Sequence, residues 1–468
     1  MAKLEPTMFR EYDLRGRVND SELNEHSVRI IAKAYGSMLR QRGIKDAVVG
    51  HDLRTGSKEL TEYAVQALMT TGVNVIFLGQ ILTPMMYSAQ YYYNTMGGVM
   101  VTASHNPNGW LGFKLALGLS YTFGPKEIEE LKKLTITEEF TEGEGTLREE
   151  NYLPLYSKDV VSRIKLNKPV KVLINAGNGT AGPIVPAILR KAGCEVVEFL
   201  TEPDLKFTHY FPNPALEEMM RDTGQQTVKN HADLGVAIDG DGDRLGITDE
   251  LGQVVWPDRY TILLSRVVLQ SLPNSSIVFD FKSSRALAED IKAHGGKPVI
   301  WKTGHSYIKE KLNELNAPVA CEMSGHVFFG KPYYYGFDDA VFAALKMAEL
   351  LSNSNKSFSA LIEGTPSYVS TPSLQAQCKD EIKYEVVEAI IKSFIAEKYE
   401  VFTFDNNPRL GGRVEFVYGW GVVRASSNLP VLTLRFEAID QSKLDEIVEL
   451  FRNKLSKYPE VSKKWESG

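Results

Sequence analysis

Residues 237–244 read Ala-Ile-Asp239-Gly-Asp241-Gly-Asp243-Arg244, three carboxylates alternating with two glycines at the end of an apolar run. Glycine permits the backbone angles of a tight turn. Three like charges this close repel strongly unless a cation sits between them. Carboxylate oxygens are hard ligands, suited to Mg²⁺ or Ca²⁺ rather than zinc. An EF-hand loop also opens with acidic residues at its first, third and fifth positions, and Glu250 falls at the twelfth. Its sixth position needs glycine, however, and here it is Arg244, and the loop follows a strand-like run where an EF-hand has a helix. A polar turn holding no ion is the plain alternative. Mg²⁺ with a phosphate as a further ligand fits best.

A second chemical loop lies upstream. Residues 97–107, Gly-Gly-Val-Met-Val-Thr-Ala-Ser104-His105-Asn106-Pro107, carry a strand into a polar turn stopped by proline. A serine in such a turn can act as a nucleophile or simply satisfy backbone donors. Sequence neighbours often point in different directions, so His105 is not an obvious base for Ser104. Together the serine loop and the three-aspartate loop resemble the α-D-phosphohexomutase family. The resemblance implies that Ser104 is the residue phosphorylated in the resting enzyme and that Mg²⁺ is held by Asp239, Asp241, Asp243 and Ser104. Magnesium would neutralise phosphoryl charge and polarise the serine oxygen as a leaving group. Arg244 would offer a rigid fork of donors to phosphoryl or sugar oxygens.

Further motifs extend the resemblance from Phe9 to Pro430. Cys321-Glu322-Met323-Ser324-Gly325-His326 is similar to the sugar-specificity loop Gly-Glu-x-Ser-Gly-His, with Cys321 in place of glycine. Glu322 and Ser324 would bind sugar hydroxyls. An imidazole can exchange a proton near neutral pH, and His326 is the preferred general acid/base, with Lys114 as its rival. Arg424-Ala-Ser426-Ser427-Asn428-Leu-Pro430 resembles the phosphate-binding loop Arg-x-Ser-x-Thr-x-Pro, with Asn428 where threonine is usual. The segment around Tyr12 and Arg15 resembles the N-terminal motif that places a tyrosine and an arginine in the cleft. Lys114, Lys282 and His305 resemble residues near the phosphoserine or facing the sugar and its phosphate. Leu111 stands where that lysine's motif usually has asparagine.

These residues need elements to position them. Residues 47–50 and 73–77 read as short buried strands around a helical period at 60–69. The pattern recurs at 170–199 and at 276–301, which predicts three similar α/β domains with mixed sheets. Residues 135–150 read as a surface connection and 366–377 as a linker. A helix over 382–398, strand-like runs at 412–423 and 431–438, and a helix over 443–455 predict a C-terminal α+β domain. The expected domains are residues 1–153, 154–255, 256–367 and 368–468, arranged around a central cleft. The 468 residues, 53 basic and 59 acidic, carry a net charge of −6 without a polybasic run, which argues against a nucleic-acid partner. Cys194, Cys321 and Cys378 have no spacing for a disulfide framework or zinc site. The N-terminal residues lack a signal peptide's apolar stretch, and no apolar run is long enough to span a bilayer, so no membrane partner and a cytoplasmic location are expected.

The resemblance implies a mutase working on a small phosphosugar through a hexose 1,6-bisphosphate such as glucose 1,6-bisphosphate. The Met323-containing loop resembles the phosphomannomutase/phosphoglucomutase branch, whereas phosphoglucosamine mutases usually carry glutamine there. Interconversion of the 1- and 6-phosphates of mannose or glucose is therefore preferred over glucosamine, over a non-catalytic phosphosugar-binding paralogue, and over a phosphatase.

Overall fold

Short β-branched runs and the amphipathic segments between them give the same four-strand order three times over. The computed structural model describes residues 4–426 and 430–467. In the first domain, strand Asp46–His51 lies between Asn74–Gln80 and Gly97–Val101, all parallel, and Trp110–Gly118 pairs antiparallel beside Gly97–Val101. In the second, Lys171–Asn175 lies between Glu195–Phe199 and Leu234–Ile238, with Leu245–Thr248 antiparallel. In the third, Ser276–Asp280 lies between Lys297–Trp301 and Val319–Cys321, with Val327–Phe329 antiparallel. Parallel neighbours need crossovers. Helices supply them: Ser57–Met69 and Thr83–Tyr93, Val185–Lys191 and Glu217–Lys229, Arg285–Ala293 and His305–Leu315.

In every domain the turn from the third parallel strand into the antiparallel fourth carries the residues of chemical interest. These turns are residues 102–109, 239–244 and 322–326. They lie beyond the carboxyl ends of the parallel strands, where open α/β sheets place their ligands. One apolar cluster joins the three domains and fixes the turns relative to one another. It includes Leu82 and Met86 of the first, Ile174 and Ile238 of the second, and Phe279 and Val327 of the third.

Asp339 ties the second domain to the third. It caps helix Ala340–Ser352 by accepting from Phe342 N and takes the hydroxyls of Tyr334 and, from the second domain, Tyr156, each at 2.9 Å. Burial raises its carboxyl from 3.8 to about 6. The folded state therefore favours the protonated form. Its contribution is full below the unfolded value and is lost as pH rises through about 6. Asp339→Asn is expected to flatten this part of the curve of melting temperature against pH, and an unaltered slope in that window would refute the assignment.

The fourth domain is an antiparallel sheet with helices Lys383–Ala396 and Gln441–Leu455 packed on it around Val387, Phe394, Leu434 and Phe451. It sits against the third domain through buried Arg413, which donates to the carbonyls of Phe281 (3.0 Å) and Ser283 (2.8 Å). Arg285 donates back to Glu415 at 2.6 Å.

Three connections differ from the sequence expectation. The run at 412–423 is two strands, Gly411–Phe416 and Gly419–Ala425, because Val417 turns outward to 97% exposure at a two-residue hairpin. The connection at 135–150 contains strand Leu147–Glu149, which extends the first sheet beside Asn74–Gln80. The expected linker at 366–377 contains Val369–Ser370 and Leu374–Gln377, both paired with Val431–Ala438. Backbone pairing rather than side-chain pattern holds the last two of these segments, so their polar composition concealed them. Among the described residues no helix is long and apolar enough to cross a membrane.

Candidate active site

Ser104 has a left-handed backbone, φ 52°, and is buried. Two guanidinium groups hold its loop. Arg54 donates to Ser104 O (2.7 Å) and Pro107 O (3.3 Å), and Arg15 donates to Asn106 Oδ1 (2.8 Å) while its Nε pairs with Asp13 (2.9 Å). The hydroxyl donates to Asp239 Oδ2 at 3.1 Å. It is also 3.1 Å from His105 Nδ1. The left-handed turn folds the neighbouring ring back onto the hydroxyl, which the sequence argument against His105 did not foresee. Burial, with Arg244 and Arg15 nearby, lowers the His105 pKa well below its ordinary value.

The aspartate loop meets the serine loop at Gly240, where an added Cβ would stand 2.5 Å from Ser104 O. Asp239 Oδ1 accepts from the backbone N–H groups of Gly242, Asp243 and Arg244, each at 3.1 Å, and so shapes the turn. Asp241 Oδ2 accepts from Thr83 Oγ1 and Lys114 Nζ, both at 2.7 Å. Lys114 also pairs with Asp243. Burial opposes the Lys114 charge, but Asp241 and Asp243 hold its pKa well above the ordinary range. In this arrangement Lys114 is a cation between two carboxylates. Burial, then Asp241 and Asp243, push the Asp239 carboxyl well above its usual range. Buried Asp241 Oδ1 and Asp243 Oδ1 have no hydrogen-bond partner. One oxygen from each of the three aspartates lies within 4.8 Å of the others. Two orphaned oxygens beside a third that faces a serine hydroxyl are a fitting donor set for a hard divalent cation.

The third turn is sewn to the second. Leu245 N donates to Gly325 O (2.9 Å), and Arg244 Nε donates to His326 Nε2 (3.1 Å). Glu322 is buried and accepts from Gly304 N and, at 3.0 Å, from Ser324 Oγ. His305 opens helix His305–Leu315 with both ring nitrogens buried and unpartnered, and Tyr12 meets its ring edge-on at 4.8 Å. Lys282 Nζ stands 3.7 Å from Asp280. Burial lowers the Lys282 pKa, Asp280 works against this, and Arg424 adds to the lowering. A cavity of about 380 Å³ opens between the first, third and fourth domains, lined by Arg10, Lys302, Thr303 and Arg424 among others. Ser426 N donates to Val431 O at 3.0 Å, and Ser427 and Asn428 lie outside the described residues.

The structure thus joins Ser104, Lys114, the three aspartates, Arg244 and His326 in one contact network, with Tyr12, Arg15 and His305 beside it. Sequence reasoning missed Arg54 and Thr83, and it set aside His105. The available signal for Arg54 was its place three residues after strand Asp46–His51, at the ligand-facing end of a parallel sheet.

A hydroxyl from one domain facing acidic residues of the next, with cations around a cleft, belongs to enzymes that move anionic groups. Residues 6–142, 151–252 and 256–368 match the phosphoglucomutase/phosphomannomutase alpha/beta/alpha domains I, II and III, and residues 374–454 match the C-terminal domain. The phosphomannomutase/phosphoglucomutase of Pseudomonas aeruginosa is 37% identical over 452 residues, 97% of this chain and 96% of that protein. A phosphoglucomutase of Neisseria gonorrhoeae is 35% identical over 98% of this chain and 99% of its own length. The crystal structure of a phosphoglucomutase/phosphomannomutase family protein from Burkholderia thailandensis is similar with a TM-score of 0.89 at 35% identity, covering 97% of this chain and 98% of that one. The chain belongs to the phosphoglucomutase/phosphomannomutase family.

Proposed function

We propose that the chain interconverts hexose 1-phosphate and hexose 6-phosphate, with mannose and glucose as its sugars, through a phosphorylated Ser104. The carrying observation is the 3.1 Å contact of Ser104 Oγ with Asp239 Oδ2, alongside two unpartnered carboxylate oxygens. Asp239, Asp241 and Asp243, with a Ser104 phosphoryl oxygen, would hold Mg²⁺. The ion would supply charge neutralisation at the transferring group. Arg15 and Arg54 keep the Ser104 loop in place, and Lys114 offsets part of the aspartate charge. Arg244 offers donors to phosphoryl or sugar oxygens. His326 Nε2 takes the proton of the attacking sugar hydroxyl once Arg244 turns to the phosphoryl. Glu322 and Ser324 bind hydroxyls in either orientation of the sugar, and Lys282, His305, Tyr12 and the loop of Arg424, Ser426, Ser427 and Asn428 hold the distal phosphate end. Glucose 1,6-bisphosphate then serves as intermediate and activator, and the substrate partner is a small phosphosugar. Three buried free cysteines suit a reducing, cytoplasmic setting.

A coupled assay across mannose, glucose and glucosamine 1-phosphates, primed with the corresponding bisphosphate, tests this reading. We expect turnover of the first two to exceed that of glucosamine 1-phosphate by at least about tenfold, a discrimination of roughly 1.4 kcal/mol in transition-state binding. Preferential use of glucosamine 1-phosphate, or release of free phosphate in step with substrate loss, would overturn it.

A further inference from the structure

His326 has polar neighbours from two domains: Arg244 and Asp243 of the second, Asp338 and His305 of the third. Arg244 Nε can only donate, so His326 Nε2 at 3.1 Å is the acceptor. The neutral ring therefore carries its proton on Nδ1. That atom is 2.9 Å from Asp338 Oδ2 and 3.6 Å from Asp243 Oδ1. Behind Asp338, its other oxygen lies 3.1 Å from Lys309 Nζ, and this ammonium stands 3.9 Å over the Tyr87 ring of the first domain. Asp338 and Lys309 are fully buried and His326 is 2% exposed.

A buried lysine–aspartate pair is weak evidence for stability in itself. This pair also stands directly behind the imidazole. Asp243 faces the same Nδ1 and belongs to the aspartate loop, so a second carboxylate there adds like charge next to the trio unless a cation offsets it. Lys309 is that cation. The neighbouring Asp339 anchors Asp338 through its helix cap and its bond to Tyr156.

We infer that Asp338, tethered by Lys309, is a positioning residue for phosphoryl transfer: it holds His326 in the tautomer protonated at Nδ1 and keeps Nε2 turned toward the cleft. The inference rests on the reading of His326 as proton acceptor. Neither Asp338 nor Lys309 touches the reacting groups. Their effect passes through the ring, so their loss lowers kcat and leaves KM for the sugar phosphate in place.

The test compares full-length Asp338→Asn, His326→Ala and the double variant in the mutase assay with mannose 1-phosphate. Asparagine keeps the shape of the side chain but removes the charge and can present N–H to the ring. Asp338→Asn should lose about 10- to 100-fold in kcat with KM within about twofold of the parent. The double variant should be no slower than His326→Ala alone, because both changes remove the same function. The charge-neutral pair Lys309→Met with Asp338→Asn gives the same kcat loss if the unpaired lysine unfolds the single variant. Undiminished kcat in Asp338→Asn beside an impaired His326→Ala would overturn the positioning role alone, as would losses that multiply in the double variant. Full turnover by His326→Ala would overturn the proton-acceptor reading and this inference with it.

Discussion

Replacing Ser104 with alanine is expected to lower turnover of mannose 1-phosphate and glucose 1-phosphate by more than about 10³-fold, the scale seen when a nucleophile is removed from a preorganised site. The size of the effect follows from the lack of a substitute in the contacts around it. Thr102 Oγ1 is engaged by Ser104 N at 2.8 Å, and Thr83 Oγ1 is committed to Asp241 at 2.7 Å. The fold should be indifferent to the change. The loop is held through backbone carbonyls and Asn106 by Arg54 and Arg15, none of which needs the serine hydroxyl. Sugar phosphate binding, read by calorimetry, should persist in the variant, because the groups assigned to the sugar and its distal phosphate, Tyr12 and Arg244 apart, belong to the third and fourth domains, and none of them is bonded to the serine hydroxyl. A variant retaining more than about a tenth of the parent rate would move the nucleophile elsewhere.

The serine and aspartate loops were legible in the sequence because each packs its chemistry and its turn signals into a few residues. The α/β repeat was legible as a recurring strand–helix pattern. What pattern could not show is that the chemical turns occupy the same topological place in all three α/β domains. That equivalence lives in strand order, and strand order depends on pairings between distant segments. Lys309 marks the same limit at the level of one side chain. In His-Ser-Tyr-Ile-Lys309-Glu-Lys311 nothing local sets Lys309 apart from its neighbour Lys311. Yet Lys309 is wholly buried against Asp338 and Tyr87, and Lys311 lies over Trp301. Asp338 of the same domain and Tyr87 of the first, both distant in sequence, separate them. His105 failed for a local reason: one left-handed φ at Ser104 redirects the next side chain, and serine does not announce that conformation as glycine would.

Chelating divalent cations should abolish turnover and lower the melting temperature together, and magnesium should restore both. The activity loss should be several kcal/mol in the barrier, roughly 10³-fold, since charge neutralisation at the phosphoryl group is lost. Ion binding to the folded state alone stabilises it by about 2.7 kcal/mol at a hundredfold excess over Kd. Asp243→Asn separates the two effects. It removes one of the two orphaned oxygens along with a charge from the buried trio, while Lys114 keeps its 2.7 Å contact with Asp241. The ion-free variant should therefore melt no lower than the ion-free parent, because like-charge repulsion has fallen. It should, however, gain no stability from magnesium and show little turnover at any magnesium concentration. The signs are opposed: a substitution that leaves the resting protein intact or firmer removes the function. If chelated protein kept its full rate, or if Asp243→Asn still gained stability from magnesium as the parent does, the three carboxylates would be a structural turn and the cation would belong elsewhere.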